Sequence, residues 1–190
     1  MDAFLTSTLV VALAEIGDKT MLLAIVLATR FRRPFAIAAG IFLATIANHF
    51  LAALLGATAA AWLDSEWFRY GVAAGFVAMG LWTLIPDTFD EDDEPRSRGG
   101  AFVTTLIAFF LVEMGDKTQI ATIALGAQFA ATGWVTAGTT LGMMIANLPA
   151  IWLGDALVRR VSLKVVRTIA AALFLAIGIW LLAQTAGWLP

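Results

Sequence analysis

The amino-acid sequence predicts an all-α integral membrane protein with six transmembrane helices, arranged as two inverted three-helix repeats. Three observations lead to this fold class. The 190 residues are 61% hydrophobic and only 14% charged, with a mean hydropathy of +0.87, whereas charged residues alone make up about a quarter of a soluble protein. The apolar residues divide into six long segments, and one charged hexapeptide occurs twice. The lipid bilayer is therefore the first partner that we expect.

Each of the six apolar segments is long enough for a bilayer core, which needs roughly 20 residues per helix. We place the spans at residues 4–28, 35–61, 67–86, 101–126, 134–157 and 166–186. The first is expected to be a retained span, because no basic region and no small-residue cleavage site marks it as a signal peptide. Residues 87–100 combine an acidic run with prolines and glycines, which is typical of a solvated linker. We thus expect a first three-helix repeat over 1–86, this acidic linker, and a second repeat over 101–190.

The basic residues other than Lys19 and Lys117, which lie deep inside spans, predict how the chain is oriented. Arg69 is alone on one side, and the odd-numbered connections hold the other nine: Arg30, Arg32, Arg33, Arg96, Arg98, Arg159, Arg160, Lys164 and Arg167. Cytoplasmic loops carry an excess of Lys and Arg. The acidic linker is therefore expected in the cytoplasm and both termini outside. A basic patch that would bind nucleic acid is absent from the sequence, so nucleic acid is excluded as a partner.

The duplicated hexapeptide is "EIGDKT" at residues 15–20 and "EMGDKT" at residues 113–118. The same offset of 98 residues relates Gly40 to Gly138 and Leu43 to Leu141, so the chain reads as a duplicated three-helix unit. With an odd number of spans in each copy, the second copy must cross the membrane in the opposite sense. Inverted repeats of this kind place a binding site near the midplane, where the halves meet.

The charges of the two hexapeptides lie near the centres of the first and fourth spans. A charged side chain at that depth costs roughly 2.5 to 3.5 kcal/mol, so these charges are expected to face one another or water. The Glu, Asp and Lys of each copy are three and four residues apart, which predicts that they share one face of a helix. Gly17 and Gly115 allow close helix approach or local unwinding, and Thr20 and Thr118 can supply hydroxyl ligands.

Joined into one site, four carboxylates and two lysines (Lys19 and Lys117) carry a net charge of −4 + 2 = −2, which matches one divalent cation or two protons. Oxygen ligands of this kind suit Ca²⁺, Mg²⁺ and Mn²⁺ better than copper or zinc. Asn48, Asn147 and Gln119 are candidates for further oxygen donors. A carboxylate in low-dielectric surroundings also binds protons readily, which is the physical basis for exchanging protons for a metal.

Other side chains and other function classes stay open. His49 is the only histidine, and it can serve in packing or helix bridging as well as in metal ligation; the methionines are interpreted as core filler. An intramembrane aspartyl protease would use Asp18 and Asp116 as a dyad that shares one proton, but the adjacent lysines favour ionising both. A non-catalytic membrane assembly factor is the third alternative. The sequence has no cysteine, which excludes disulfides and thiolate sites.

The two hexapeptides resemble the duplicated Glu-x-Gly-Asp-Lys/Arg-Thr/Ser motif of the Ca²⁺:cation antiporter-2 family, which includes Golgi manganese/calcium transporters and bacterial manganese exporters. The resemblance covers the whole chain. It implies a transporter, not an enzyme, which exchanges cations for protons with Glu15, Asp18, Glu113 and Asp116 as the metal-binding carboxylates. It further implies a bacterial cytoplasmic (inner) membrane location, with Mn²⁺ or Ca²⁺ as transported substrate, protons as the second partner and no cofactor. A homodimer is left open.

Overall fold

The computed structural model describes residues 1–63, 65–86, 99–154 and 162–189. Within these ranges every regular element is an α-helix, so the predicted all-α class is confirmed. The eight helices of the described ranges are α1 (Asp2–Glu15), α2 (Lys19–Phe31), α3 (Pro34–Trp62), α4 (Glu66–Thr83), α5 (Ala101–Glu113), α6 (Lys117–Phe129), α7 (Thr132–Leu153) and α8 (Leu163–Thr185). Residues 87–98, which make up most of the predicted acidic linker, lie outside the described residues.

Four of the six predicted spans coincide with one helix each, namely α3, α4, α7 and α8. The spans at 4–28 and 101–126 are different, because each is divided into two short helices at its hexapeptide. Local unwinding, one of the two alternatives that the glycines left open, occurs in both spans. The reason is local backbone geometry: Gly17 and Gly115 both adopt a positive φ, which a right-handed helix does not contain.

Helix starts and stops follow ordinary capping chemistry. The α2 helix ends at a left-handed residue, Arg32, whose backbone N–H donates to the carbonyl of Ala28. Pro34 then opens α3, where its missing N–H costs nothing. The hydroxyl of Ser65 accepts a hydrogen bond from the Phe68 N–H and caps α4. These signals hold the connections on either side of α3 short.

Helices of the first half pack mainly against helices of the second half. The α1 helix packs along α7 while α5 packs along α3, and α4 packs against α8. Gly40 of α3 approaches α5 so closely that a Cβ there would lie 2.9 Å from the Phe102 carbonyl oxygen. Gly138 of α7 approaches α1 in the same way, because a Cβ there would lie 2.4 Å from the Phe4 carbonyl oxygen. Gly138 is 98 residues after Gly40, and Phe102 is 98 residues after Phe4. The duplicated sequence therefore forms the same contact twice.

The surface of the helices carries many large apolar side chains, and several charged side chains are buried in the interior beside the apolar core. Large apolar side chains such as Leu51, Leu111 and Ile179 are exposed along the helices, whereas Glu15 and Glu113 are fully buried. An apolar surface around buried charged side chains is what a lipid environment favours. The α3 and α8 helices are the two in the described ranges that are long and apolar enough to cross a membrane.

Candidate metal-binding site

Each hexapeptide forms a tight turn between two half-helices. Glu15 ends α1, its carbonyl accepts a hydrogen bond of 3.0 Å from the Asp18 N–H, and Asp18 occupies the N-cap position of α2 without a capping hydrogen bond to its side chain. Ile16 has φ −65° and ψ 111° and Gly17 has φ +87°, the values of a type II turn, which favours glycine at its third position. The expectation that Glu, Asp and Lys share one face of a helix is therefore wrong, because they belong to two helices and the turn between them.

The second hexapeptide repeats this geometry closely. Met114 has φ −69° and ψ 114°, and Gly115 has φ +82°. The Asp116 N–H donates to the Glu113 carbonyl at 3.2 Å, and Asp116 occupies the N-cap position of α6. Both turns break a helix within an apolar span, which leaves backbone groups at helix ends available to polar neighbours.

Three carboxylates from the two halves meet at these turns. Glu15, Glu113 and Asp116 are all buried, and each offers an oxygen that lies within 4.8 Å of the oxygens offered by the other two. Asp18 is also buried but does not belong to this cluster. The sequence thus predicted the convergence of three of its four candidate metal ligands, and the fourth lies at the start of α2.

The threonines and lysines of the hexapeptides surround these carboxylates. The Thr20 hydroxyl donates to Oε2 of Glu15, and the Thr118 hydroxyl donates to Oε2 of Glu113 at 3.1 Å. Lys19 reaches from the first half to the second, where its Nζ lies 2.9 Å from Oδ1 of Asp116. The hydroxyls and this ammonium group therefore fix the orientation of the carboxylates.

Lys117 differs from Lys19 in its surroundings. It is buried, its Nζ donates to the Ile85 carbonyl at 3.2 Å, and it lies 5.8 Å from the centroid of the Trp82 ring. Ile85 follows the end of α4. Lys117 thus connects the second hexapeptide to the residues that lead into the linker.

The three predicted amide donors have different positions. Gln119 accepts a hydrogen bond of 2.7 Å from the Gly115 N–H and donates to Oδ1 of Asn48, which itself donates to the Phe110 carbonyl at 3.3 Å. Asn147 donates to the Met143 carbonyl within its own helix at 3.1 Å, and its Oδ1 is buried without a hydrogen-bond partner in the described parts of the chain. Asn48 and Gln119 therefore support the second turn, while Asn147 retains a free acceptor.

A residue that sequence reasoning left open lies beside the cluster. His49 is fully buried in α3, and its Nε2 lies 3.7 Å from Oε2 of Glu113. Its position 34 residues after Glu15, on a different span, gave no signal of this contact. The contact depends on how α3 packs against α5 and α6.

The chemistry of this arrangement follows from charge and burial. Three ionised carboxylates this close together repel one another strongly in a low-dielectric interior, and Lys19 offsets only one of them. The cluster is stable when it holds protons or a cation. A site of this kind can therefore alternate between the two, and its oxygen-rich composition favours hard divalent ions.

Comparisons with known proteins agree with this chemistry. The family model described as "Divalent cation/proton antiporter GDT1" matches residues 3–91 and again residues 101–188. A Vibrio cholerae protein named "Putative manganese exporter" is 48% identical over 176 residues, which cover 92% of this chain and 88% of the relative.

More distant relatives carry the name of the same family. A GDT1-like protein of Synechocystis is 30% identical, with 92% of this chain and 93% of the relative covered. GDT1-like protein 5 of Arabidopsis thaliana is 28% identical, with 94% of each chain covered. No solved structure matches the chain. The resemblance drawn from the two hexapeptides is thereby confirmed, and this chain belongs to the GDT1 family of divalent cation/proton antiporters.

Proposed function

We propose that this protein exports Mn²⁺ in exchange for protons through one site that both hexapeptides build. Glu15, Glu113 and Asp116 are the central ligands, and Asp18 is the fourth carboxylate ligand. The hydroxyl groups of Thr20 and Thr118 and the amide group of Asn147 supply additional oxygens. Ca²⁺ is the alternative substrate, because it binds the same types of ligand.

The observation that carries the proposal is the meeting of three buried carboxylates from both halves within 4.8 Å. Burying like charges side by side costs more than a fold would tolerate for packing alone. A transported divalent cation offsets that cost when it is bound, and protons offset it when the cation has left. The manganese named for the Vibrio cholerae relative supports Mn²⁺ as that cation.

The half-helices give the exchange an electrostatic basis. The α1 and α5 helices end at Glu15 and Glu113, where the partial negative charge of a helix C-terminus favours a cation. The α2 and α6 helices begin at Lys19 and Lys117, directly after Asp18 and Asp116, and the partial positive charge of a helix N-terminus attracts a neighbouring carboxylate group. The turns therefore stabilise both the cation and its ligands.

The same proposal includes the membrane arrangement predicted from the sequence. The half-helix pairs α1–α2 and α5–α6 each form one broken span, which together with α3, α4, α7 and α8 makes six. The packing of each half against the other, with Gly40 against α5 and Gly138 against α1, supports two inverted repeats. The cytoplasmic linker, the external termini and the bacterial inner membrane belong to this proposal as well.

Flux through the purified protein tests the function. Proteoliposomes with an imposed pH gradient should take up Mn²⁺, and a pH dye should report proton movement in the opposite direction. Parallel runs with Ca²⁺ and Mg²⁺ rank the substrates. Flux that is independent of the pH gradient would refute proton exchange, and Ca²⁺ flux that exceeds Mn²⁺ flux would refute the choice of manganese.

Cysteine labelling in cells tests the orientation, because the chain has no cysteine of its own. Arg33 and Glu66 are exposed at opposite ends of α3, one before it and one after it. We expect Glu66→Cys to react with a membrane-impermeant maleimide in intact cells and Arg33→Cys to react only after permeabilisation. The reverse pattern would place the linker outside and refute the orientation.

A further inference from the structure

His49 is a fully buried polar side chain that faces the carboxylate cluster. It lies in the middle of α3, next to Asn48, and its Nε2 is 3.7 Å from Oε2 of Glu113. Glu113 is one of the three carboxylates of the cluster. The imidazole therefore borders the position that a bound ion would occupy.

Neither ring nitrogen of His49 has a hydrogen-bond partner in the described parts of the chain. A buried polar group without a partner is costly, and most such groups in proteins are hydrogen-bonded or bound to something. At 3.7 Å, Nε2 and Oε2 are too far apart for a hydrogen bond. Two atoms that coordinate one ion at about 2.1 to 2.5 Å are separated by about 3 to 4 Å when the angle between them is near 90 to 110°. The observed spacing fits two neighbouring ligands of one ion.

An imidazole nitrogen changes which ion the site prefers. The other side chains of the cluster offer carboxylate oxygens, which bind Ca²⁺, Mg²⁺ and Mn²⁺ alike. Imidazole binds first-row transition-metal ions, with Mn²⁺ the weakest of the series, and it is a poorer ligand still for the alkaline-earth ions Ca²⁺ and Mg²⁺. A single nitrogen donor therefore favours a transition-metal ion without changing the charge of the site.

The two halves differ at this point. The residue 98 positions after His49 is Asn147, an amide that offers oxygen. The repeated "IAN" at residues 46–48 and 145–147 instead pairs Asn147 with Asn48 and leaves Leu148 opposite His49. In either alignment the imidazole occurs in the first half only. A site that both halves share would receive one imidazole only.

We propose that His49 is a nitrogen ligand of the transported ion and that it makes the site prefer Mn²⁺ to Ca²⁺ and Mg²⁺. This inference rests on the proposed function, because it concerns the same site. It adds a ligand outside the two hexapeptides and assigns it the role of setting selectivity.

Pulsed electron paramagnetic resonance of the Mn²⁺-loaded protein tests the ligation directly. Because His49 is the only histidine, a chain without a histidine tag has one imidazole only. We expect a nitrogen coupling to Mn²⁺ that changes isotope pattern when the protein is grown with ¹⁵N-labelled histidine. This measurement needs no variant, so a folding defect cannot obscure it.

Selectivity is tested by the variant His49→Gln, which replaces the nitrogen donor by an oxygen donor. We expect Mn²⁺ affinity to fall by about tenfold or more, the scale on which metal sites respond to loss of a partner. Ca²⁺ affinity should change much less. Thr139→Val is the matched control, because Thr139 is also buried but donates within α7, to the Val135 carbonyl; it should leave both affinities unchanged.

The outcomes separate this inference from the proposed function. Bound Mn²⁺ without any nitrogen coupling that responds to ¹⁵N-labelled histidine, or equal losses of Mn²⁺ and Ca²⁺ affinity in His49→Gln, would overturn the role of His49 while leaving the antiport proposal intact. A protein that binds no Mn²⁺ at all would overturn both.

Discussion

The two hexapeptides have the same backbone and different surroundings. In both, a glutamate ends a helix, a glycine with φ near +85° forms a turn, and an aspartate occupies the N-cap position of the next helix. In both, a threonine donates to the glutamate five residues before it. Six nearly identical residues thus suffice to set the local structure twice.

The neighbours of the two turns are not alike. Lys19 is partly exposed and pairs with Asp116 of the other half, whereas Lys117 is buried and donates to the Ile85 carbonyl. Met21 follows the first turn. Its counterpart after the second turn is Gln119, which forms hydrogen bonds with both the Gly115 N–H and Asn48. The imidazole of His49 lies beside Glu113.

Under the proposed function, this comparison indicates that the two hexapeptides and their neighbours have different roles in one site. The repeated residues supply the carboxylates and the turns, which both halves need in order to hold an ion. Among the residues that are not repeated, Gln119 supports the second turn, and His49 is the nitrogen ligand that we propose. Variants made at corresponding positions can therefore separate the shared properties from those of one half.

The largest effect is expected at the two glutamates. Glu15→Gln and Glu113→Gln each remove a negative charge and a ligand from the same cluster, so both should reduce Mn²⁺ flux by about 100-fold, at the upper end of what metal-site partners contribute. Glu66→Gln makes the same change at an exposed position of α4 and should have no effect. Normal flux in either buried variant would show that the halves do not share one ion.

The lysine that crosses between the halves should affect turnover more than binding. A positive charge repels a divalent ion about twice as strongly as a proton, so Lys19→Ala should bind Mn²⁺ more tightly and release it more slowly. Binding and flux measured on the same preparation separate the two effects. Lys164→Ala is the control at the exposed start of α8. Weaker Mn²⁺ binding in Lys19→Ala would contradict this role.

The glycine turns should respond unequally to alanine. Both positions have positive φ, which costs an L-residue about 1 to 2 kcal/mol. A Cβ at Gly17 would in addition lie 2.7 Å from Cδ2 of Leu163, whereas a Cβ at Gly115 would meet open space. Thermal unfolding in detergent should therefore rank Gly17→Ala as less stable than Gly115→Ala.

The double variant with Leu163→Ala sharpens this prediction. Removing the leucine side chain should recover part of the stability lost in Gly17→Ala and none of that lost in Gly115→Ala. If Leu163→Ala changed the thermal stability of Gly17→Ala and of Gly115→Ala by the same amount, the contact between Gly17 and Leu163 of α8 would not explain the difference.

The smallest effect is expected at the amide that supports the second turn alone. Gln119→Met introduces the residue type of the first copy and removes an exposed hydrogen bond with the Gly115 N–H and a partly buried one with Asn48, which should cost about 0.5 to 1.5 kcal/mol. Met21→Gln makes the reverse change in the first copy and should not raise stability. A loss of flux as large as that of the glutamate variants would assign Gln119 to the ion and not to the turn.

Much of the fold was predictable because apolar length and capping signals are local. The predicted spans 35–61 and 166–186 differ from α3 and α8 by three residues or fewer at each end. The broken spans were harder to predict, because the apolar pattern continues through Gly17 and Gly115. The signal was the glycine itself, since a type II turn favours glycine at its third position and the hexapeptide places it there.

The site was predictable only as far as the duplication reaches. Glu15 and Glu113 occupy the same position in the two copies, which indicated that their side chains lie close together. Their carboxylate oxygens are indeed within 4.8 Å of each other. Lys19 pairing with Asp116 and His49 approaching Glu113 depend on the rotation and depth of helices from different parts of the chain. Hydrophobic periodicity defines a buried face but not which atoms meet across it, so these contacts required the structure.

The number of Mn²⁺ ions bound per chain tests the sharing of one ion most directly. Equilibrium binding to the purified protein should give one ion per chain, and both Glu15→Gln and Glu113→Gln should lose that ion. Two ions per chain, with each variant losing one and keeping the other, would show that each hexapeptide forms a site of its own.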